Sequence, residues 1–177
     1  MQIGKLTFKP IKDGLDLVAE PVKQAVENSE IAESIFVTAI DPKVSDTGAF
    51  CEQYGVGLDI STNCLVVQAR RADKTWYAAC LILATDMADI NNVIRRHLNA
   101  RKISFASMDI ALELTHMEYG GITPIGLPSD WIILVDEAVM RNDVVVVGGG
   151  VRGSKLALKT EVFKHLPNAV IMKITQD

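Results

Sequence analysis

Apolar positions recur along this chain in two periods, one of about two residues and one of three to four, and the switches between them mark out the elements. Leu6-Thr7-Phe8-Lys9-Pro10 alternates apolar with polar residues, as a short edge strand closed by its proline would. From 15 to 28 the pattern turns helical: Leu15, Leu17, Val18, Val22 and Val26 share much of one face, Asp13 or Gly14 can cap it, and Pro21 is expected to kink or divide it. A β-branched run over 34–40 predicts a strand. A helix is predicted over 47–54, capped by Ser45 or Asp46 and closed by Gly55. Residues 64–70 and 75–83 read as a hairpin of two largely apolar strands. Met87, Ile90, Val93, Ile94, His97 and Leu98 then give the strongest helical period, with Thr85 or Asp86 as its cap. A brief strand at 103–105, a helix started by Ser107, and strands at 131–136, 144–147, 156–158 and 169–174 follow, with short helices near 137–140 and 160–165. Strands and helices mixed in this way predict a single α+β domain.

Composition narrows the partners. The chain has 177 residues and a formal charge of −4, so its overall field does not attract nucleic acid, and any such partner must meet a local basic patch. Arg95, Arg96, Arg101 and Lys102 form the densest one, although cations at a helix C-terminus also offset its dipole. No signal-peptide pattern opens the chain and no apolar run approaches spanning length, which predicts a cytoplasmic protein without membrane contact. Cys51, Cys64 and Cys80 form no CxxC pair and have no histidine at ligand spacing, so neither a disulfide framework nor a metal site is indicated. A hydrolase built on Cys64 and His116 is conceivable from residue type, but a packed thiol and a surface imidazole are the plainer reading.

Two glycine clusters carry the candidate chemistry. Gly120-Gly121-Ile122-Thr123-Pro124-Ile125-Gly126-Leu127-Pro128 is a stiff, shaped loop running into the apolar stretch after Trp131, and Gly148-Gly149-Gly150-Val151-Arg152-Gly153 follows four consecutive valines. The pair predicts loops gathered at one rim of a sheet. The second cluster superficially matches a dinucleotide fingerprint, but the residues after it alternate as a strand does, where that motif needs a helix. Its Gly-Ser-Lys order is also wrong for a phosphate loop. No cofactor is implied.

The element Gly120 to Pro124 within GGITPIGLP, followed by VDEAVMRNDVVVVGGGVRG, resembles the YbaK/EbsC-type aminoacyl-tRNA editing domains, also called prolyl-tRNA synthetase associated domains. The resemblance spans roughly residues 47–173. It implies a mixed, barrel-like β-sheet surrounded by helices over 47–177, with 1–46 as a helix and strand extension packed on it. It also implies a deacylase acting in trans on the ester of a mischarged tRNA, with a synthetase as a further possible partner. On that reading Asn63, Gly120 and Gly121 serve catalysis, and Ile122, Thr123, Pro124, Gly148, Gly149, Gly150 and Arg152 hold the substrate. Arg95, Arg96, Arg101 and Lys102 would meet the tRNA. The sequence departs from the family where Asn63 stands in place of a usual lysine and where three glycines replace Ser-Ala-Gly. Those departures leave room for a rival, a binding module that kept the pocket without its chemistry. A small-molecule esterase or amidase is a third reading.

Overall fold

The computed structural model describes residues 1–176. Its strands are β1 (Gln2–Ile3), β2 (Leu6–Thr7), β3 (Lys9–Pro10), β4 (Ile35–Ala39), β5 (Thr62–Arg71), β6 (Lys74–Leu83), β7 (Lys102–Phe105), β8 (Ile132–Asp136), β9 (Val144–Gly148), β10 (Ser154–Lys159) and β11 (Ala169–Met172). The α-helices are α1 (Glu20–Val26), α2 (Thr47–Tyr54), α3 (Arg95–His97) and α4 (Met108–Thr115).

β1 and β2 form a small ribbon, β3-β4-β10-β9 a four-stranded sheet and β11-β8-β6-β5-β7 a five-stranded one. The β5–β6 hairpin pairs from Thr62↔Leu83 to Arg71↔Lys74, and β8 joins β6 in parallel. Between the two larger sheets lies a shared core, with Leu81, Leu83 and Val135 from one sheet meeting Val37, Val147 and Leu156 from the other. The sheets are also tied at one edge, where Ser61 bridges Val146 and Thr62 Oγ1 donates to the Val146 carbonyl at 2.9 Å. The α+β class and the barrel-like arrangement therefore hold, in an open form with no closed barrel among the described residues. No helix among them is long and apolar enough to cross a membrane.

Local chemistry explains most boundaries. Asp46 Oδ1 accepts from the amides of Gly48 and Ala49 at 3.0 and 3.3 Å to start α2, and Gly55 ends it in the left-handed region at φ 65°. Pro21 does divide its segment: a 3₁₀ turn (Leu15–Leu17) precedes α1, where the proline sits in the first turn and its missing amide costs no helical bond.

The helix expected from Thr85 or Asp86 starts later. Asp89 caps it, a π turn (Ile90–Ile94) leads into α3, and Met87 stays 69% exposed outside it. Its entry is held to the C-terminal segment instead, by the Asp89 amide donating to Ile174 O at 2.8 Å and by a bridge between Ala88 and Thr175.

Candidate functional site

The two glycine clusters do meet. Gly148 ends β9, the following glycines turn the chain into antiparallel β10, and the Gly120 loop lies across that turn. The Gly150 amide donates to Gly121 O at 2.7 Å, Glu118 N to Gly150 O at 2.8 Å, and Gly121 N to Glu118 O at 3.0 Å. A Cβ on Gly121 would stand 2.7 Å from the Val151 carbonyl carbon and oxygen, and one on Gly148 would collide with the Gly121 backbone. Glycine is thus needed where two backbones touch.

A cavity of about 340 Å³ opens beside this junction, walled by the N-terminus of α2, the start of β5, the Gly120 turn and the first residues of β10. Asn63 stands on its wall and accepts from Thr47 Oγ1 at 2.7 Å. Gly120 faces it with φ 76°, and a Cβ there would lie 2.8 Å from Ser45 Oγ. Among the described residues no group accepts from the Gly120 or Ile122 amide. Both amides belong to residues that line the cavity.

Three cations line the cavity, Lys43, Arg152 and Lys155, against one acid, Asp46. The cavity is thus a positive pocket in an acidic protein, and low-dielectric walls strengthen such a field. Arg152 is a strut as well as a charge. Its guanidinium donates to Tyr119 O at 3.2 Å and Pro42 O at 3.0 Å and lies 5.6 Å from the centre of the Tyr119 ring, while its amide donates to Glu118 Oε2 at 2.7 Å.

Lys155 is the buried member, 5% exposed, on the same side of β10 as Ala157, which packs with Phe50 of α2. Its Nζ donates to Ser45 O at 2.9 Å and sits 5.0 Å from the Phe50 ring centre. Burial lowers its ammonium to about 8, and the nearby Cys51 and Asp46 pull part of the way back.

No nucleophile–base pair is assembled. Cys64 is on the cavity wall, but burial, reinforced by Cys80, pushes its thiol far above the ordinary range and keeps it neutral. His116 ends α4 as an exposed left-handed residue at φ 54°, and it does not line the cavity. His97, expected on an apolar helix face, is exposed, as is His165.

The structure brings Asn63, Gly120, Ile122, Gly148 and Arg152 to one cavity. Gly121 lies one layer behind, its amide already donated to Glu118. Thr123 is fully buried, and Pro124 lines a separate cavity of about 430 Å³ with Leu127 and Pro128. Gly149 packs against Ser154, and Gly150 leaves room for Ala19 and Val22 of the N-terminal segment.

The basic cluster is remote. Arg101 donates its amide to Arg70 O and Lys102 pairs with Arg70, seven residues along β5 from Asn63, or about 23 Å at the usual strand rise. The Arg95 and Arg96 Nε atoms fold back onto the carbonyls of Asn91 and Asn92 at 2.7 and 3.2 Å.

Sequence reasoning missed Lys155, Lys43, Thr47 and Tyr119. Lys155 left no signal: a lysine alternating with leucines suggests a solvent face, yet Ser154-Lys155-Leu156-Ala157-Leu158 is buried on both faces.

Residues 41–166 match the aminoacyl-tRNA editing domain family. No curated protein matches the chain by sequence. Among solved structures, one described as a candidate trans-editing enzyme for prolyl tRNA synthetase is 16% identical, with a TM-score of 0.75 over 89% of this chain and 96% of its own. A hypothetical protein is 18% identical, with a TM-score of 0.77 over 89% of this chain and all of its own (100%). A candidate signal transduction protein from Marinobacter aquaeolei VT8 is 17% identical with a TM-score of 0.58, this chain spanning 30% of it. At these identities the likeness is one of fold.

Proposed function

Because the chain belongs to the aminoacyl-tRNA editing domain family, we propose that it is a trans-acting deacylase hydrolysing the ester that links a mischarged amino acid to the terminal adenosine of tRNA. The observation that carries this reading is the positive cavity lined by Lys43, Arg152 and Lys155 together with Gly120 and Ile122, whose amides have no acceptor among the described residues. The cations suit the anionic 3′ end of a tRNA, although the whole chain is acidic. Hydrolysis breaks the bond between the carbonyl carbon and the ribose oxygen, with water supplying OH to the amino acid and H to the ribose. The tetrahedral intermediate carries an oxyanion, and amides held in place by the interlocked glycine loops stabilise it without reorganising. Because Cys64 is held neutral and no histidine lines the cavity, the attacking group in this reading is water or the adjacent ribose hydroxyl.

Asn63 contacts the substrate as a neutral hydrogen-bonding group, its Oδ1 oriented by Thr47. Tyr119, 56% exposed at the cavity, offers a ring face for the terminal base. Arg101 and Lys102, beside Arg70 at the far end of β5, would meet tRNA away from the aminoacyl end, whereas the bonds of Arg95 and Arg96 to their own helix favour a stabilising role there. Purified protein should release amino acid from some members of a panel of mischarged tRNAs. It should release less from simple aminoacyl esters lacking the adenosine. Binding of charged tRNA without release would favour the binding-module reading, which the uncharged Asn63 supports.

A further inference from the structure

Lys155 is a buried cation with no carboxylate bonded to it among the described residues. An ammonium has three donors, and one of them goes to Ser45 O. The Phe50 ring faces the charge but accepts no ordinary hydrogen bond. Asp46, the one acid on the cavity, gives Oδ1 to the first amides of α2; it and Cys51 pull on the ammonium electrostatically, but among the described residues neither is hydrogen-bonded to Lys155. Removing a cation from water without pairing it is costly.

The cations of the cavity are graded by depth. Lys43 is exposed, Arg152 is intermediate and already braced by carbonyls, and Lys155 is 5% exposed. In a charged tRNA 3′ end phosphate, ribose and amino acid follow one another, so an aminoacyl group entering first would bring its side chain to the inner cation while the phosphate met the outer ones.

We propose that Lys155 is a specificity-determining residue that selects an aminoacyl group with an acidic side chain, aspartyl or glutamyl, by pairing its ammonium with the side-chain carboxylate. This rests on the cavity being the aminoacyl site inferred above. It accounts for an unpaired cation at that depth, because the substrate completes the pair. A small apolar side chain such as alanine would leave the ammonium desolvated and unmatched.

The test is equilibrium binding of 3′-aminoacylamino-3′-deoxyadenosines, whose amide link resists hydrolysis, bearing aspartyl, glutamyl, asparaginyl or alanyl groups. Wild type should bind an acidic analogue on the order of tenfold to a hundredfold tighter than the alanyl one, with asparaginyl between. Lys155→Met should erase the ratio between acidic and alanyl affinities, whatever its effect on either alone, and Lys155→Arg should restore part of it. A second readout needs only wild type. As pH rises through about 8 the ammonium loses its proton, and the acidic preference should fall with it. Asp46 capping α2, Cys51 within it, Cys64 on β5, and Lys43 and Arg152 nearer the mouth are the same for every analogue, so the ratio isolates the group facing the carboxylate.

Equal affinity for acidic and alanyl analogues would overturn the inference and leave the deacylase reading standing, as would a preference unmoved by both Lys155→Met and pH. Binding of no analogue would overturn both. An acidic preference without tRNA hydrolysis would uphold the inference and reject the deacylase.

Discussion

Gly121→Ala should damage this protein through its backbone. The added Cβ would lie 2.7 Å from the carbonyl carbon and oxygen of Val151 and 2.9 Å from its nitrogen, where ordinary contact begins at 3.4 Å. All three are main-chain atoms, so no rotamer relieves the clash, and loop and hairpin must separate by about 0.7 Å, the difference between 2.7 and 3.4 Å. That movement strains the bonds from Gly150 N to Gly121 O and from Gly121 N to Glu118 O. Overpacking of this kind costs about 1–3 kcal/mol, and a weakened hydrogen bond adds about 1 kcal/mol. Roughly 3 kcal/mol is absorbed by a domain of ordinary stability, so the variant should still melt cooperatively, about 6–12 °C below wild type. Gly120 and Ile122 flank the displaced residue, and misplacing catalytic donors by about 1 Å can cost on the order of a hundredfold in rate. Thermal melting and single-turnover deacylation should therefore fall together. Gly153→Ala is the control, since its Cβ would meet nothing within 4 Å. If Gly121→Ala melts and turns over like wild type, the interlocked backbones do not hold the site.

Two further outcomes follow from the cavity. Asn63→Lys should raise single-turnover deacylation, by up to about a hundredfold if the ammonium reaches developing charge or an adjacent phosphate, and an unchanged rate in a folded variant would show that the asparagine is no deficit. The stability of wild type relative to Lys155→Met should rise with pH: the folded ammonium titrates near 8 and the unfolded one near 10.5, so between those values the unfolded chain binds the extra proton. The gain is at most about 3 kcal/mol in denaturation measurements. Cys64 and Cys80, raised by burial, pull both proteins the other way above their ordinary 9.0, which is why the difference is the quantity to measure, and parallel pH curves would contradict the burial of a charged lysine.

The sequence carried most of the local architecture because local chemistry sets it. Asp46 caps α2 and Gly55 closes it as read, the β5–β6 hairpin forms around residues 72–73, and Ser107 starts α4. The family, too, was legible in the glycine–proline loop. Where an element's limit depended on a distant strand, the reading slipped, as at Asp89, whose amide is tied to Ile174.

The site was legible only in part, for the same reason. Asn63, Gly120 and Arg152 could be named from motif positions, but Lys43, Thr47 and Lys155 join them only because β5, α2 and β10 converge. Sequence periodicity treats a strand as having one wet face, and β10 has none: the second sheet covers Leu156, and α2 covers Lys155 and Ala157. Only that packing turns a lysine that reads as a surface residue into the buried cation of the cavity, because burial depends on which element lies over a side chain and not on its neighbours in the chain.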